Sequence, residues 1–290
     1  MTRIPRLQQQ KTKIDHFFEG LPKKVFKRQD LTGILAEHHG EWKLPVGLTF
    51  TKFLEFLLSK TNLREIILPS ENYSNEKRFV WGSPSVYSMA LSLRKNSYLS
   101  HGSAVFLHNL TDQIPKRVYV NHEQSPKPGS GTLAQEGIDR AFSNSERQSN
   151  LTYEYEEFLI VIVSGKSTNR LEVTAGFGSE ALEVTKLERT LIDIVVRPTY
   201  AGGVFQVLEA FKRAKKQISV NTLVATLQKL DYLYPYQQAI GFYMEKAGYQ
   251  ERDWSKLLRL GSSFDFYLAH RLPEDKKYDS KWRLYYPVGF

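Results

Sequence analysis

The sequence predicts an α+β protein, with a winged helix-turn-helix over residues 1–81 and a mixed α/β domain that ends in helices over residues 82–290. Three observations lead there. The first 81 residues read as helix, helix, helix, hairpin. Beyond them, strand-like runs cluster in the middle of the chain, and three amphipathic helical patterns follow in succession. The length of 290 residues, 41% hydrophobic with 17 Phe, 16 Tyr and 4 Trp, supplies cores for about two domains.

The N-terminal elements follow from their apolar spacing. Residues 13–19 read as a short helix with Ile14, Phe17 and Phe18 inward. Residues 28–37 read as a second helix with Leu31, Ile34 and Leu35 on one face. Residues 38–48 hold two Gly and a Pro and form the turn. Residues 49–60 carry apolar side chains at 50, 53, 54, 57 and 58, the spacing of a helix with one buried face. Residues 64–68 and 77–81 read as two strands joined by the polar turn 69–76. A boundary falls at Trp81-Gly82-Ser83-Pro84, where Ser83 suits an N-cap and Pro84 the first helical turn.

In the second domain, residues 84–95 and 103–109 read as helices and 117–121 as a strand. Gln124-Ser125-Pro126-Lys127-Pro128-Gly129-Ser130-Gly131 reads as a loop insertion. Residues 132–142 read as a helix with a Thr132…Gln135 capping box, and 185–196 as another with a Thr185…Glu188 box. Strands are expected at 151–155, 158–163 and 170–175. Helices are expected at 203–216, 219–230 and 236–248.

Composition narrows the function. Without cysteine, disulfide scaffolds, Cys-ligated zinc and thiol catalysis are excluded, and a reducing compartment is compatible. The polar, basic start and a longest apolar run of only residues 158–163 predict a soluble, cytoplasmic protein with no membrane partner. Residues 1–81 hold 14 basic and 9 acidic side chains, residues 82–200 hold 12 and 13, and residues 201–290 hold 14 and 9. A near-neutral middle between two basic segments favours an anionic partner, most simply nucleic acid, over a merely solvated surface.

On the third helix, the face opposite Phe50, Leu54 and Leu57 carries Lys52, Glu55, Phe56 and Ser59, with Thr49, Thr51 and Lys60 at its margins. That face can address base edges and phosphates of duplex DNA. Phe56 is out of pattern there and is expected to pack. Lys23, Lys24, Lys27 and Arg28, at the start of the second helix, and Lys77 and Arg78, on the wing, suit phosphates. The competing reading of the same module is a protein–protein adaptor.

Catalytic signatures are poor. His38 and His39 are adjacent and point about 100° apart on a helix, so they cannot act as paired ligands. His101 and His108 lack a carboxylate at ligand spacing. Glu41-Trp42-Lys43 is too short a match to a nuclease motif to carry weight. Gly261-Ser262-Ser263-Phe264-Asp265 lacks the second carboxylate that Mg²⁺ would need. Glu154, Glu156 and Glu157 read as the polar face of an edge strand, Gly202-Gly203 as a turn, and Lys212, Arg213, Lys215 and Lys216 as a solvated face. No enzyme, metal or cofactor is expected.

Two runs carry a family resemblance. One is Tyr98-Leu99-Ser100-His101-Gly102-Ser103-Ala104-Val105-Phe106-Leu107-His108-Asn109-Leu110 with the strand Arg117-Val118-Tyr119-Val120. The other is Thr185-Lys186-Leu187-Glu188-Arg189-Thr190-Leu191-Ile192-Asp193, followed by Arg197-Pro198-Thr199-Tyr200-Ala201-Gly202-Gly203. Over residues 80–250 the chain resembles the AbiEi family, the antitoxins and transcriptional regulators of type IV toxin–antitoxin (abortive infection) systems. The resemblance implies an AbiEi-like antitoxin domain behind a winged helix. It also implies repression of its own operon at double-stranded operator DNA. The antitoxin domain would counteract a nucleotidyltransferase-like toxin without forming a stable complex. The residues themselves read as fold-forming: Leu187, Leu191 and Ile194 make a core stripe, while Glu188, Arg189 and Asp193 lie on polar faces, the last two able to pair at i, i+4.

Overall fold

The structure is a computed structural model that describes residues 6–126 and 132–290. Residues 127–131 of the expected Pro/Gly/Ser loop lie outside that description. The N-terminal unit runs α1 (Arg6–Gln9), α2 (Lys11–Gly20), β1 (Val25–Phe26), α3 (Arg28–His38), α4 (Phe50–Lys60), β2 (Leu63–Leu68) and β3 (Glu76–Trp81). The strands β2 and β3 form the expected antiparallel hairpin, and β1 adds to β3 as a third strand that two residues could not announce in the sequence. Ile14, Phe18, Leu31, Phe53 and Leu57 pack with Trp42, Phe79 and Trp81 into one core. Phe56 belongs to that core, so it packs as expected.

The middle of the chain contains α5 (Val86–Ser92), β4 (Tyr98–Leu99), α6 (His101–Leu107), β5 (Arg117–Glu123), α7 (Gln135–Ser143), β6 (Thr152–Tyr155), β7 (Phe158–Gly165), β8 (Val173–Phe177), β9 (Leu182–Thr185) and α8 (Leu187–Val196). Its six strands form one mixed sheet in the order β6-β7-β5-β4-β9-β8. Strand β6 lies at an edge, which accounts for the exposed Glu154 between the inward Tyr153 and the half-buried Tyr155. After a 3₁₀ turn at Pro198–Ala201 come α9 (Val204–Ala214), α10 (Val220–Leu230), α11 (Tyr236–Lys246) and α12 (Glu251–Leu258). A small sheet of β10 (Phe266–Tyr267), β11 (Lys277–Asp279) and β12 (Leu284–Tyr286) closes the chain. The architecture is α+β.

Several local expectations shift. The cap of α5 is Ser85 rather than Ser83, because its hydroxyl accepts from the Ser88 N–H and Gly82 takes a positive φ of 68° at the turn. The box at Thr132 does not form: α7 starts at Gln135 with no side-chain cap, and Gln135 instead bonds Asp139 and the Asp265 backbone. The box at Thr185 does not form either. Thr185 ends β9, its hydroxyl pairs with that of Thr190 at 2.8 Å, and Glu188 reaches Ser219 N–H at 2.8 Å. Arg189 and Asp193 do pair, at 2.7 Å, but not on a polar face. Helix α8 is buried from Arg189 to Val195 because α6, α9, α10 and α11 surround it.

The boundary at Gly82 separates the chain but not the packing. Val25, Leu68 and Val80 from the N-terminal sheet share a core with Met89, Ala90, Leu93, Leu99, Val118 and Val120. The hairpin tip is also tied down: Glu154 N–H donates to Pro69 O at 2.9 Å, and Tyr73 OH donates to Asn150 Oδ1 at 3.1 Å.

At the start of α6, His101 is buried with a left-handed φ of 49°, and its Nδ1 lies 2.8 Å from Ser100 Oγ. Burial, aided by the nearby Arg197 and Arg189 guanidiniums, pushes its imidazole down to about 3, so it is neutral in the fold. In the unfolded chain the ring takes a proton near 6.5. The unfolded state therefore binds more protons between these values, and stability falls as pH drops through that window. His101→Asn keeps a residue type that tolerates positive φ. It should flatten this part of the profile by at most about 1.4 kcal/mol per pH unit, as read from urea unfolding at a series of pH values.

Candidate nucleic-acid interface

Helix α4 presents the polar side chains in question. Thr49 caps it, its hydroxyl accepting from Lys52 N–H at 3.4 Å, and Phe53, Phe56 and Leu57 hold its other face in the core. Thr49, Thr51, Lys52, Glu55, Ser59 and Lys60 are exposed. Ser59 donates to Glu55 O at 2.7 Å, a bond that leaves its oxygen free to accept. Among the described residues, the ammonium groups of Lys52 and Lys60 have no ion-pair partner. Arg28 joins this set from the first turn of α3: its guanidinium lies 4.7 Å from the centre of the Phe50 ring, at the start of α4. The Arg28 side chain thus links the first turns of α3 and α4, with no ion-pair partner among the described residues, a favourable electrostatic setting for an anion.

The remaining expected contacts are not part of that face. Arg78 is 2% exposed. Its Nε donates to Ser92 Oγ at 3.1 Å, its Nη2 to Ser92 O at 3.1 Å and to Leu93 O at 3.4 Å, and its Nη1 to Lys77 O at 2.7 Å and Glu76 Oε2 at 2.9 Å. It cannot reach a phosphate, because the carbonyls ending α5 have already claimed it. Lys77 is on the surface but pairs across the hairpin with Glu65 at 2.8 Å.

Lys23, Lys24 and Lys27 line a cleft of about 670 Å³ between β1 and α5, together with Arg94, Lys95, Glu180 and Glu183. Lys23 pairs with Asp30 at 2.9 Å. Lys24 donates to the last carbonyls of α2, Phe18 O at 2.8 Å and Glu19 O at 2.6 Å. Burial, and then the Arg78 charge, lower the ammonium pKa of Lys27.

In fold, the chain is similar to the RV2827C protein from Mycobacterium tuberculosis. The two superpose with a TM-score of 0.58 at 13% sequence identity, over 98% of this chain and 92% of that one. At this identity the likeness is one of fold alone. No protein-family model matches the chain, and no curated protein matches it. Among the described residues there is no group of three or more His, Asp or Glu side chains placed to hold a metal ion, and no helix long and apolar enough to cross a membrane. Most of the C-terminal basic cluster is engaged. Lys212 pairs with Glu209 at 2.6 Å, Arg213 with Asp112, and Lys215 with Gly248 O.

The sequence signal for Arg78 misled because an arginine next to a lysine on a hairpin normally faces water. Glu76, which could have flagged the pairing, also reaches Arg94 Nη1 at 3.1 Å. Burial disfavours the charged form of Glu76, but the two guanidiniums outweigh it and hold its carboxyl below the usual carboxylate range. Arg78→Ala should therefore cost about 3 kcal/mol of stability, as measured by urea unfolding. Lys77→Ala should cost less than about 1 kcal/mol in the same assay.

Proposed function

We propose that this chain is a DNA-binding transcriptional autorepressor whose N-terminal unit is a winged helix-turn-helix, with α4 as the helix that enters the major groove. The observation that carries this reading is the exposed face of α4. It sets Lys52 and Lys60, both without counter-ions among the described residues, around Thr51 and Ser59, while Arg28 flanks the helix start. Three further facts support it: the order helix, strand, helix, helix, hairpin; the antiparallel sheet β1-β3-β2; and the net positive charge of residues 1–81. In this reading Thr51 and Ser59 address base edges, and Arg28, Thr49, Lys52 and Lys60 hold the backbone.

The resemblance of the two runs at 98–120 and 185–203 to AbiEi proteins extends the proposal. The remainder of the chain acts as the antitoxin of a type IV system and opposes a nucleotidyltransferase-like toxin encoded beside it, without a lasting complex. A stand-alone regulator or adaptor on the same fold is the second reading, favoured by the pairing of Lys23, Lys24 and Lys77 within the protein.

Fluorescence anisotropy with the chain's own upstream DNA tests the repressor half. Binding should weaken steeply with salt. Lys52→Ala and Lys60→Ala should each reduce affinity and lower the magnitude of the salt slope by about 1, whereas Ser59→Ala should change sequence preference. Folded protein that ignores duplex DNA at low salt would overturn this half.

Growth rescue on co-expression with the neighbouring nucleotidyltransferase-like gene tests the antitoxin half. DNA binding without rescue would leave the stand-alone regulator.

A further inference from the structure

A polar groove opens on the far side of α8 from its apolar core contacts. Its inner chamber, about 100 Å³, lies between the sheet and α8 and is lined by His101, Asn121, Arg189, Asp193 and Arg197. It adjoins an outer cleft of about 890 Å³, with Lys166, Val196, Arg197 and Tyr232 lining both. The outer cleft lies within the size range of small-molecule sites, and only a small group fits the inner one.

The chamber holds polar capacity that the protein does not use. Asp193 is buried, its side chain 5% exposed. Its Oδ1 accepts from Arg189 Nε at 2.7 Å, but its Oδ2 has no partner among the described residues. Arg189 cannot supply one, since its Nη1 donates to Leu171 O at 2.8 Å and its Nη2 lies 3.5 Å from Tyr98 OH. A buried carboxylate oxygen without a donor is costly and calls for an N–H or O–H from outside. Beside it, the half-buried Arg197 guanidinium has no hydrogen bond or ion pair among the described residues and lies 5.6 Å from the Tyr200 ring. Arg147, on the outer rim, also has no carboxylate partner among the described residues. Lys166 is partly committed, donating to Leu230 O at 2.7 Å and to Asp231 O.

Carboxylates share the rim. Glu146 Oε2 accepts from Thr199 Oγ1 at 2.7 Å while its Oε1 has no partner among the described residues, and the Asp231 side chain is exposed. Two unpaired guanidiniums and an ammonium beside acceptors that lack donors match a ligand with a dianion at one end and hydroxyl donors at the other.

We propose that this groove binds a small phosphate ester that carries free hydroxyl groups, its phosphate on Arg197 with Arg147 and Lys166, and one hydroxyl donating to Asp193 Oδ2. Arginine forks suit phosphate oxygens. A hydroxyl supplies the missing donor without placing a second charge in the chamber. The site shares none of the α4 residues, so it stands or falls apart from DNA binding.

The test uses the full chain, with thermal shift and calorimetry against ribose 5-phosphate, adenosine 5′-monophosphate and inorganic phosphate. At least one ester should raise Tm saturably and bind at least about tenfold tighter than inorganic phosphate. The preferred ester shows whether the natural ligand is a sugar phosphate or a nucleotide. Arg197→Gln, on the open side of the chamber, should weaken the ester at least about tenfold. Asp193→Asn should erase the advantage of the ester over inorganic phosphate, and Lys52→Ala should change nothing. The proposal is overturned if neither ester binds folded protein at millimolar concentration, if inorganic phosphate binds as well as the esters, or if Arg197→Gln binds like the parent. Should Asp193→Asn fail to fold, Arg197→Gln and the comparison of probes decide the matter.

Discussion

A buried arginine ties the N-terminal unit to the domain that follows it. Removing a guanidinium from water is expensive unless every N–H finds an acceptor. Arg78 meets that demand with the carbonyls of Ser92 and Leu93, the Ser92 hydroxyl, the Lys77 carbonyl and Glu76. The Ser92 and Leu93 carbonyls belong to the end of α5, where a helix leaves acceptors unused. The hairpin therefore completes α5, and α5 in turn supplies acceptors to the buried guanidinium. Glu76 passes the link to Arg94, whose Nη2 donates to Tyr153 OH at 3.1 Å on the edge strand of the central sheet.

Apolar packing reinforces this polar clamp. The core that contains Val80 and Val25 continues through α5 into the six-stranded sheet, so the N-terminal sheet is covered on both faces. With that sheet spoken for, the cationic side chains sort into two sets. Lys23, Lys24, Lys77 and Arg78 are engaged within the fold, whereas Lys52, Lys60 and Arg28 lie at the surface with no ion-pair partner among the described residues. At the other end, α8 is enclosed by α6, α9, α10 and α11, and its Arg189–Asp193 pair sits where the helical cluster meets the sheet.

Much of the fold was legible in the sequence, and what was missed has physical causes. The amphipathic helices α2, α3, α4, α9, α10 and α11 emerged within a few residues, because one apolar face of period 3.6 repeats over several turns. Strands β1 and β4 are two residues long and exist only because a neighbour supplies hydrogen bonds, which no local pattern encodes. The final sheet, β10 to β12, is equally fragmentary. Cap positions slipped at Ser83, Thr132 and Thr185 because a suitable residue type is not a suitable backbone angle. The interface set split along the same line. Thr49, Thr51, Lys52, Ser59 and Lys60 follow from helical phase, and the structure keeps them together. Arg78 depends on a partner 14 residues away, so its burial was invisible. The Arg189–Asp193 spacing was plain, but the enclosure of α8 that turns a surface pair into an internal one was not.

The docked hairpin tip has a mechanical consequence. Pro69 and Tyr73 hold the tip to residues 154 and 150, and Arg78 ties the middle of β3 to the end of α5, so the hairpin is anchored at its tip and along its length. Gly82 is then a corner rather than a swivel. Whatever docks on α4 acquires the whole body as a rigid lever, with no slack to absorb a change in orientation. If two copies sit on one duplex, the separation of their sites is dictated by the girth of the bodies and not by the reach of a tether.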